Sequence, residues 1–127
     1  LERILSGKKS VYVKANQYFS RIHVEDIALI VHASLCQPTP GEIFNVSDDL
    51  PTPPEQVYDY AAQCLSLPPL KRILIDDDTN INDIPRFYRA SRKVCNDKIK
   101  QCFALTLTHP TYQHGLDHLY SDMNSTP

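Results

Sequence analysis

Arg21 is the residue whose type and position most directly suggest ligand chemistry. It stands just before a predicted helix that begins near Val24. Anions bind at such loop-to-helix junctions because backbone N–H groups point outward there. A guanidinium can hold a carboxylate or a phosphate through two parallel hydrogen bonds. The alternative is a surface or interface arginine that pairs with Glu25 one helical turn further on.

Asn45 and Phe87 are two further candidates for contact with a small-molecule substrate. Asn45 ends a predicted inner strand, and ligands of open α/β sheets bind beyond the carboxyl ends of strands. Alternatively, its amide satisfies the backbone of the loop that follows. Phe87 and Tyr88 either line a pocket or belong to the core. No catalytic residue is predicted, since no Ser/His/Asp order and no Cys/His pair has the context of an activated nucleophile.

The acidic and metal-ligating residues are explained more simply by structure than by chemistry. Glu25 and Asp26 diverge by about 100° around a helix, so the helix dipole accounts for them better than a shared reacting atom does. Cys95, Cys102 and His109 are evenly spaced, but a strand-like stretch separates them and zinc ligands usually come in closely spaced pairs. The sequence therefore predicts no metal site.

Two runs of aspartates have the same kind of explanation. Asp48 and Asp49 form a polar loop after a predicted strand, and two carboxylates without further oxygen ligands make a weak cation site. The run at 76–78 is most simply a loop in contact with solvent.

Composition narrows the classes of protein. The chain has 127 residues, which suits a single domain of 1–127, with 42% hydrophobic and 22% charged residues and a net charge of −2. We expect no nucleic-acid partner, because there is no basic excess, and no membrane partner, because no apolar run approaches the ~20 residues of a membrane helix. The three glycines are too dispersed for a glycine-rich phosphate loop, so no cofactor-binding residue is predicted. Four cysteines without a secretory segment indicate the reducing cytoplasm.

The spacing of apolar residues predicts alternating helices and strands, hence an α/β or α+β fold. The first residues, from Leu1, look like a helix already under way, so the start of the chain looks cut. Strands are expected at 11–13 and 42–46, with the second one buried. Helices are expected to start at Val24, after a capping Thr52, after a capping Asn96 and after a capping Thr111. Residues 122–127 are expected to form a disordered tail.

Four segments, in order, carry a resemblance to a known family. Residues 19–28 read Phe-Ser-Arg-Ile-His-Val-Glu-Asp-Ile-Ala, and 40–51 read Pro-Gly-Glu-Ile-Phe-Asn-Val-Ser-Asp-Asp-Leu-Pro. Residues 92–100 read Arg-Lys-Val-Cys-Asn-Asp-Lys-Ile-Lys, and 109–116 read His-Pro-Thr-Tyr-Gln-His-Gly-Leu. Together they resemble the C-terminal part of extended short-chain dehydrogenases/reductases, the group of NAD-dependent epimerases and dehydratases.

The resemblance implies the C-terminal portion of a Rossmann-like fold with a small α+β lobe that binds substrate. The family's glycine-rich turn and its Tyr-x-x-x-Lys pair lie earlier and have no counterpart here. The chain would therefore bind a substrate but not catalyse alone, and NAD or NADP would belong to the intact parent. Its partner would be the missing N-terminal portion of the same fold. The alternative is a non-enzymatic remnant or a protein-interaction module.

Two departures from the family pattern bear on structure and specificity. Ala104 stands where the family usually has a glycine in a left-handed helix cap, so we expect that cap to be lost. Phe19 stands where many sugar-nucleotide epimerases have an arginine on the nucleotide diphosphate. This departure favours a less characterised branch of NAD(P)-binding oxidoreductases over nucleoside-diphosphate-sugar enzymes.

Overall fold

The helices and strands follow one another in an order that gives a mixed α/β fold. The computed structural model describes residues 1–76, 78–80 and 82–125. Its elements are α1 (Glu2–Leu5), β1 (Ser10–Lys14), α2 (Val24–Cys36), α3 (Pro54–Cys64), β2 (Lys71–Ile75), a 3-10 helix (Arg86–Tyr88), α4 (Asp97–Phe103) and α5 (Tyr112–Ser125). The two strands pair in parallel, with Ser10 opposite Lys71 and Lys14 opposite Ile75. The predicted α/β class is confirmed at this coarse level.

Helix α3 packs on the two-stranded sheet and forms the first of three small apolar clusters. Ala61 and Ala62 of α3 lie against Val11 of β1, together with Ile4 and Leu70. The two alanines allow close contact between helix and sheet because their side chains are small. This cluster holds α1, β1 and α3 together and thereby fixes one wall of the cleft described below.

The other two clusters join different parts of the chain. Ile30 of α2 packs with Ile99 of α4 and with Leu107. Ile75, Ile84 and Tyr88 form the third cluster. Compact domains usually have one contiguous core, so three small clusters leave much apolar surface outside any core.

Hydrogen bonds to Asp26 connect the segment before α5 to the first turn of α2. Its side chain is fully buried, and its two carboxylate oxygens accept hydrogen bonds from the backbone N–H groups of Thr108, at 2.7 Å, and His109, at 2.9 Å. The negative charge also lies at the favourable end of the α2 dipole. Sequence analysis assigned Asp26 to the dipole alone and missed this long-range contact.

The segment at 42–46 does not form the strand that the sequence predicts. The segment has no strand pairing, and Ile43 is 83% exposed rather than buried. A strand needs a neighbour for its backbone hydrogen bonds, and the described residues provide none beside this segment. Phe44 nevertheless packs on the Ile30 cluster.

Two predicted helix caps also need correction. Thr52 does not cap α3: Pro53 occupies the cap position and Pro54 is the first helical residue. The Thr52 hydroxyl donates to the Leu50 carbonyl, and the Thr52 backbone pairs with Phe19. Asn96 stands at the cap of α4, but its side chain makes no capping bond. Its amide donates instead to the Ser47 carbonyl and to Asp49 Oδ1. These two hydrogen bonds connect the start of α4 to the loop at 47–49.

The last helix is longer than the sequence predicts. Helix α5 runs to Ser125, so residues 122–125 are helical rather than a tail, and residues 126 and 127 lie outside the described residues. Two hydroxyls, of Ser121 and Ser125, donate to the carbonyls of Asp117 and Ser121 one turn before them. Among the described residues, no helix combines the length and apolar character that crossing a bilayer requires.

The left-handed cap at the end of α4 is present although the residue there is alanine. Ala104 has φ 48° and ψ 43°, and the Leu105 N–H donates to the Lys100 carbonyl at 2.9 Å. The expected loss of the cap is therefore wrong: the backbone keeps the turn. A residue with a Cβ is strained in this region by about 1 kcal/mol.

We expect Ala104→Gly to stabilise the protein by about 0.5 kcal/mol, since relief of the strain exceeds the added entropy of the unfolded chain. Urea unfolding measures the change. Ala28→Gly, at an exposed position inside α2, is the matched control and should lower the free energy of unfolding by about 1 kcal/mol. Equal losses in both variants would contradict this account.

Candidate functional site

A cleft of about 590 Å³ lies between α1, β1, α3 and the 3-10 helix. Aromatic rings form much of its wall. They come from Tyr12, Phe19, Tyr58, Phe87 and Tyr88. Such a surface favours a ligand with a planar or apolar body, because rings contribute contact area and edge-to-face packing.

The cleft also has a marked charge preference. Arg3, Lys8 and Arg21 line it, whereas none of the described lining residues carries a carboxylate. The Lys8 ammonium lies 5.1 Å from the centre of the Tyr58 ring. Three cations without a nearby counter-charge on the wall favour an anionic ligand.

Arg21 is held in place by the backbone around it. Its Nη1 donates to the Phe19 carbonyl at 3.1 Å and to the Thr52 carbonyl at 3.0 Å. Phe19 and Thr52 are themselves paired through both of their backbone groups. The predicted alternative, a pair with Glu25, is not formed: Glu25 contacts His109 instead. Burial lowers the pKa of Arg21 from its usual value, while the guanidinium keeps its charge because that value is so high.

Phe87 is an exposed ring on a well-anchored backbone. The buried Gln17 amide donates to the carbonyls of Phe87, at 3.4 Å, and Ala90, at 2.6 Å. Lys14 Nζ donates to the Tyr88 carbonyl at 3.0 Å. The Phe87 side chain is 81% exposed and meets the Phe19 ring edge-on at 6.3 Å. An exposed ring whose backbone is fixed by side-chain bonds is well suited to ligand contact.

The structure brings together two of the three predicted substrate contacts. Arg21 and Phe87 line the same cleft. Asn45 is exposed on the segment after α2 and lines neither this cleft nor the smaller cavity beside it. Of the acidic run 76–78, Asp76 accepts a hydrogen bond from Thr79 at 2.7 Å, and Asp77 lies outside the described residues.

Sequence analysis missed most of the cleft. Arg3, Lys8, Tyr12 and Tyr58 come from three elements that are distant from Phe87 along the chain. No local pattern marks them, because each is an ordinary residue of its own helix, turn or strand. Only the packing of α3 on β1 shows that they share a wall.

A smaller cavity of about 150 Å³ lies on the other side of Arg21. Asp48, His109 and Tyr112 are among its lining residues. Burial raises the pKa of Asp48 to about 6, although the Leu50 N–H, at 3.1 Å from Oδ1, and the Arg21 charge act in the opposite direction. Asp48 can therefore exchange a proton in the mildly acidic range.

The residues present do not form a cradle for a dinucleotide. Glycines serve such a cradle by letting the backbone approach a pyrophosphate. A Cβ added at Gly7 or Gly41 would meet nothing within 4 Å, and one at Gly115 would meet only the His23 ring. None of the three glycines lines the cleft. That the chain alone binds no cofactor stays a prediction.

Comparison with known proteins gives structural neighbours only. No protein-family model matches the chain, and no curated protein matches it. A conserved protein of unknown function from Silicibacter pomeroyi DSS has 38% identity and a TM-score of 0.83, over 94% of this chain and 43% of that chain. A dTDP-glucose 4,6-dehydratase from Bacillus anthracis str. Ames, in complex with NAD, has 16% identity and a TM-score of 0.71, over 98% of this chain and 37% of that chain.

These likenesses have a definite extent. This chain spans less than half the length of either neighbour. At 16% identity, the likeness to the dehydratase shows a shared α/β fold and nothing about its reaction. The resemblance drawn from the four sequence segments therefore has support at the level of the fold.

Asp48 should make stability depend on pH. Because its pKa in the folded state, about 6, is above the ordinary value of 3.8, the unfolded chain ionises first as pH rises. Stability should fall between about pH 4 and 6 by an amount on the order of 2 kcal/mol. Asp48→Asn should remove this fall when urea unfolding is compared at pH 4 and pH 7. Asp83→Asn, at an exposed position, should lose the same free energy of unfolding between pH 4 and pH 7 as the wild type. An equal loss in Asp48→Asn would contradict the assignment.

Proposed function

We propose that this chain is the substrate-binding portion of an NAD(P)-dependent oxidoreductase or epimerase related to the extended short-chain dehydrogenases/reductases. The observation that carries the proposal is the cleft, where Arg21 and exposed aromatic rings meet without a carboxylate on the wall. The four family-like segments and the shared fold support the same assignment. Residue Asn45 has no part in this cleft and is left out of the proposed site.

The proposed substrate is a small anion with a planar or apolar body. Arg21 and Lys8 would hold the anionic group, and Phe87 would cover the body of the molecule. Phe19 stands at the position where many sugar-nucleotide epimerases have an arginine. Its ring lies 5.7 Å from the Arg21 guanidinium. This arrangement favours a compact anion over a nucleoside diphosphate sugar.

The proposed partner is the remaining part of the same fold, which would supply the nicotinamide site and the Tyr/Lys pair in a cytoplasmic parent protein. Helix α2 has an exposed apolar stripe suited to such a partner: Val24, Ile27, Val31 and Leu35. The segment at 42–46 has no strand partner among the described residues, which leaves a place for a neighbouring strand. Both neighbours are more than twice as long as the matched region, which gives room for that partner.

A second candidate function rests on the same stripe. The chain would then be an interaction module that binds another protein through α2 and performs no chemistry. The reading frame upstream of the codon for Leu1 separates the two. A glycine-rich turn and a Tyr-x-x-x-Lys pair in that frame would support the oxidoreductase parent. Their absence would favour the module.

The cleft should prefer aromatic anions. We expect phenyl phosphate to bind and benzyl alcohol, which lacks the charge, to bind at least about tenfold more weakly. Phe87→Ala should weaken the binding of phenyl phosphate by about three- to tenfold, because the contact between the two rings is lost. Titration followed by amide chemical shifts in NMR spectra measures both effects.

Two variants sharpen this measurement. Arg21→Met should weaken the preference for the anion, since only Arg3 and Lys8 then remain as cations of the cleft, with the folded state checked by circular dichroism. Leu74→Ala removes an equally exposed apolar side chain outside the cleft and should leave binding unchanged. If Phe87→Ala and Leu74→Ala behave alike, the cleft is not the binding site.

The chain by itself should not bind the nicotinamide cofactor, since its three glycines are too dispersed to form the glycine-rich turn that holds a pyrophosphate. Calorimetric titration with NADH and NADPH is expected to show no saturable heat. Micromolar affinity for either would overturn the division of roles between this chain and the rest of the fold.

A further inference from the structure

Three histidines from separate parts of the chain converge where α2 meets α5. His23 caps the start of α2, His109 lies in the segment before α5, and His118 belongs to α5. One ring nitrogen from each lies within 4.8 Å of the others. The ring centres are 3.9 Å apart for His23 and His109, and 4.9 Å apart for His109 and His118. Three imidazoles so close together are the donor set that transition metals prefer.

A carboxylate lies against the same nitrogens. Glu25 Oε2 is 2.8 Å from His109 Nε2, and Glu25 Oε1 is 4.0 Å from His118 Nε2. A glutamate carboxylate is ionised at neutral pH. The cluster therefore offers a fourth, anionic donor.

One imidazole nitrogen of the cluster, His23 Nε2, is buried and has no hydrogen-bond partner. A buried polar atom without a partner costs free energy, and native proteins rarely leave one without a reason. This unpartnered nitrogen, which is an observation independent of the convergence itself, points to an occupant at His23 Nε2.

We propose that His23, His109, His118 and Glu25 bind a divalent transition-metal ion, with Zn²⁺ as the best match. In a tetrahedral zinc site the ligand atoms are ~3.3 Å apart, given Zn–N bonds of ~2.0 Å. The histidine nitrogens therefore need to move closer by about 1.5 Å at most. The side chains of His118 and Glu25 are 38% and 50% exposed, which gives them room to do so.

The tautomers needed for this site follow from the neighbouring groups. His23 Nδ1 accepts a hydrogen bond from the Glu25 N–H at 3.3 Å. In the metal site this long hydrogen bond would be lost, because Nε2 would bind the metal and Nδ1 would carry the ring proton. His118 Nδ1 lies 3.6 Å from Asp122 Oδ2. With Nε2 on the metal, the Nδ1 proton of His118 points to that carboxylate, which is the usual outer partner of a ligating histidine.

The ion would act as a structural clip. Four protein ligands leave no open position, as is typical of structural zinc sites, and they join the start of α2 to α5. Sequence analysis predicted no metal because it tested Cys95, Cys102 and His109 as the ligand set. The structure replaces the two cysteines with His23 and His118, whose distance along the chain hides the pattern.

Zinc titration of the full chain, purified without a histidine tag and treated with a chelator, tests the proposal. Competition with a chromophoric chelator should give one Zn²⁺ per chain, and zinc should raise the melting temperature. His118→Asn should weaken binding at least about 100-fold, because losing a ligand costs more than losing an outer partner. Co²⁺ should give the strong visible absorption of tetrahedral coordination in the wild type and not in His118→Asn.

His32→Asn is the matched control, since His32 is exposed on α2 and pairs only with Cys36 at 3.8 Å. It should bind Zn²⁺ within about twofold of the wild type. Glu25→Gln gives a second test, with about tenfold weaker binding expected and little effect on folding by circular dichroism. Absence of zinc binding by the wild type, equal affinity in His118→Asn, or loss of binding in His32→Asn would each overturn the proposal.

Discussion

The two hydrogen bonds accepted by the buried Asp26 carboxylate are the constraint on which the rest of the structure depends. They attach the backbone at 108 and 109 to the start of α2. Because a chain segment fixed at two successive N–H groups cannot rotate, the direction of entry into α5 is set there. His109 is thereby placed against His23, with ring centres 3.9 Å apart and the ring planes tilted by 42°.

The path of α5 follows from that attachment. The helix passes His23, the residue that caps α2, so closely that a Cβ at Gly115 would lie 3.1 Å from the His23 ring, so glycine suits this position through close approach. Further along, Tyr60 of α3 donates its hydroxyl proton to Asp117 of α5 at 2.7 Å, which raises the pKa of Tyr60 to about 12. Helix α5 thus joins α2 to α3, and Leu116 of α5 completes the wall of the cleft.

Local features of the fold could be predicted from the sequence, and contacts across it could not. The start of α2 at Val24 follows from the spacing of its apolar residues. The strand at 42–46 was wrong because pairing depends on a neighbour rather than on the segment's own residues. Arg21 and Phe87 could be chosen as contact residues by type, but Asn45 could not be rejected, since its place relative to the cleft is set by packing.

Helix α2 has apolar residues on two sides, and only one side is covered within the described chain. Ile30 packs on α4, whereas Val31 and Leu35 are exposed, Leu35 by 74%. Ile30 and Val31 lie about 100° apart around the helix, so the apolar surface of α2 extends beyond its covered side. The covered face carries the Asp26 attachment and, through it, the wall of the cleft. We therefore infer that a partner on the exposed face would stabilise α2 without blocking the cleft, which supports a division between substrate contacts here and chemistry in the adjoining part.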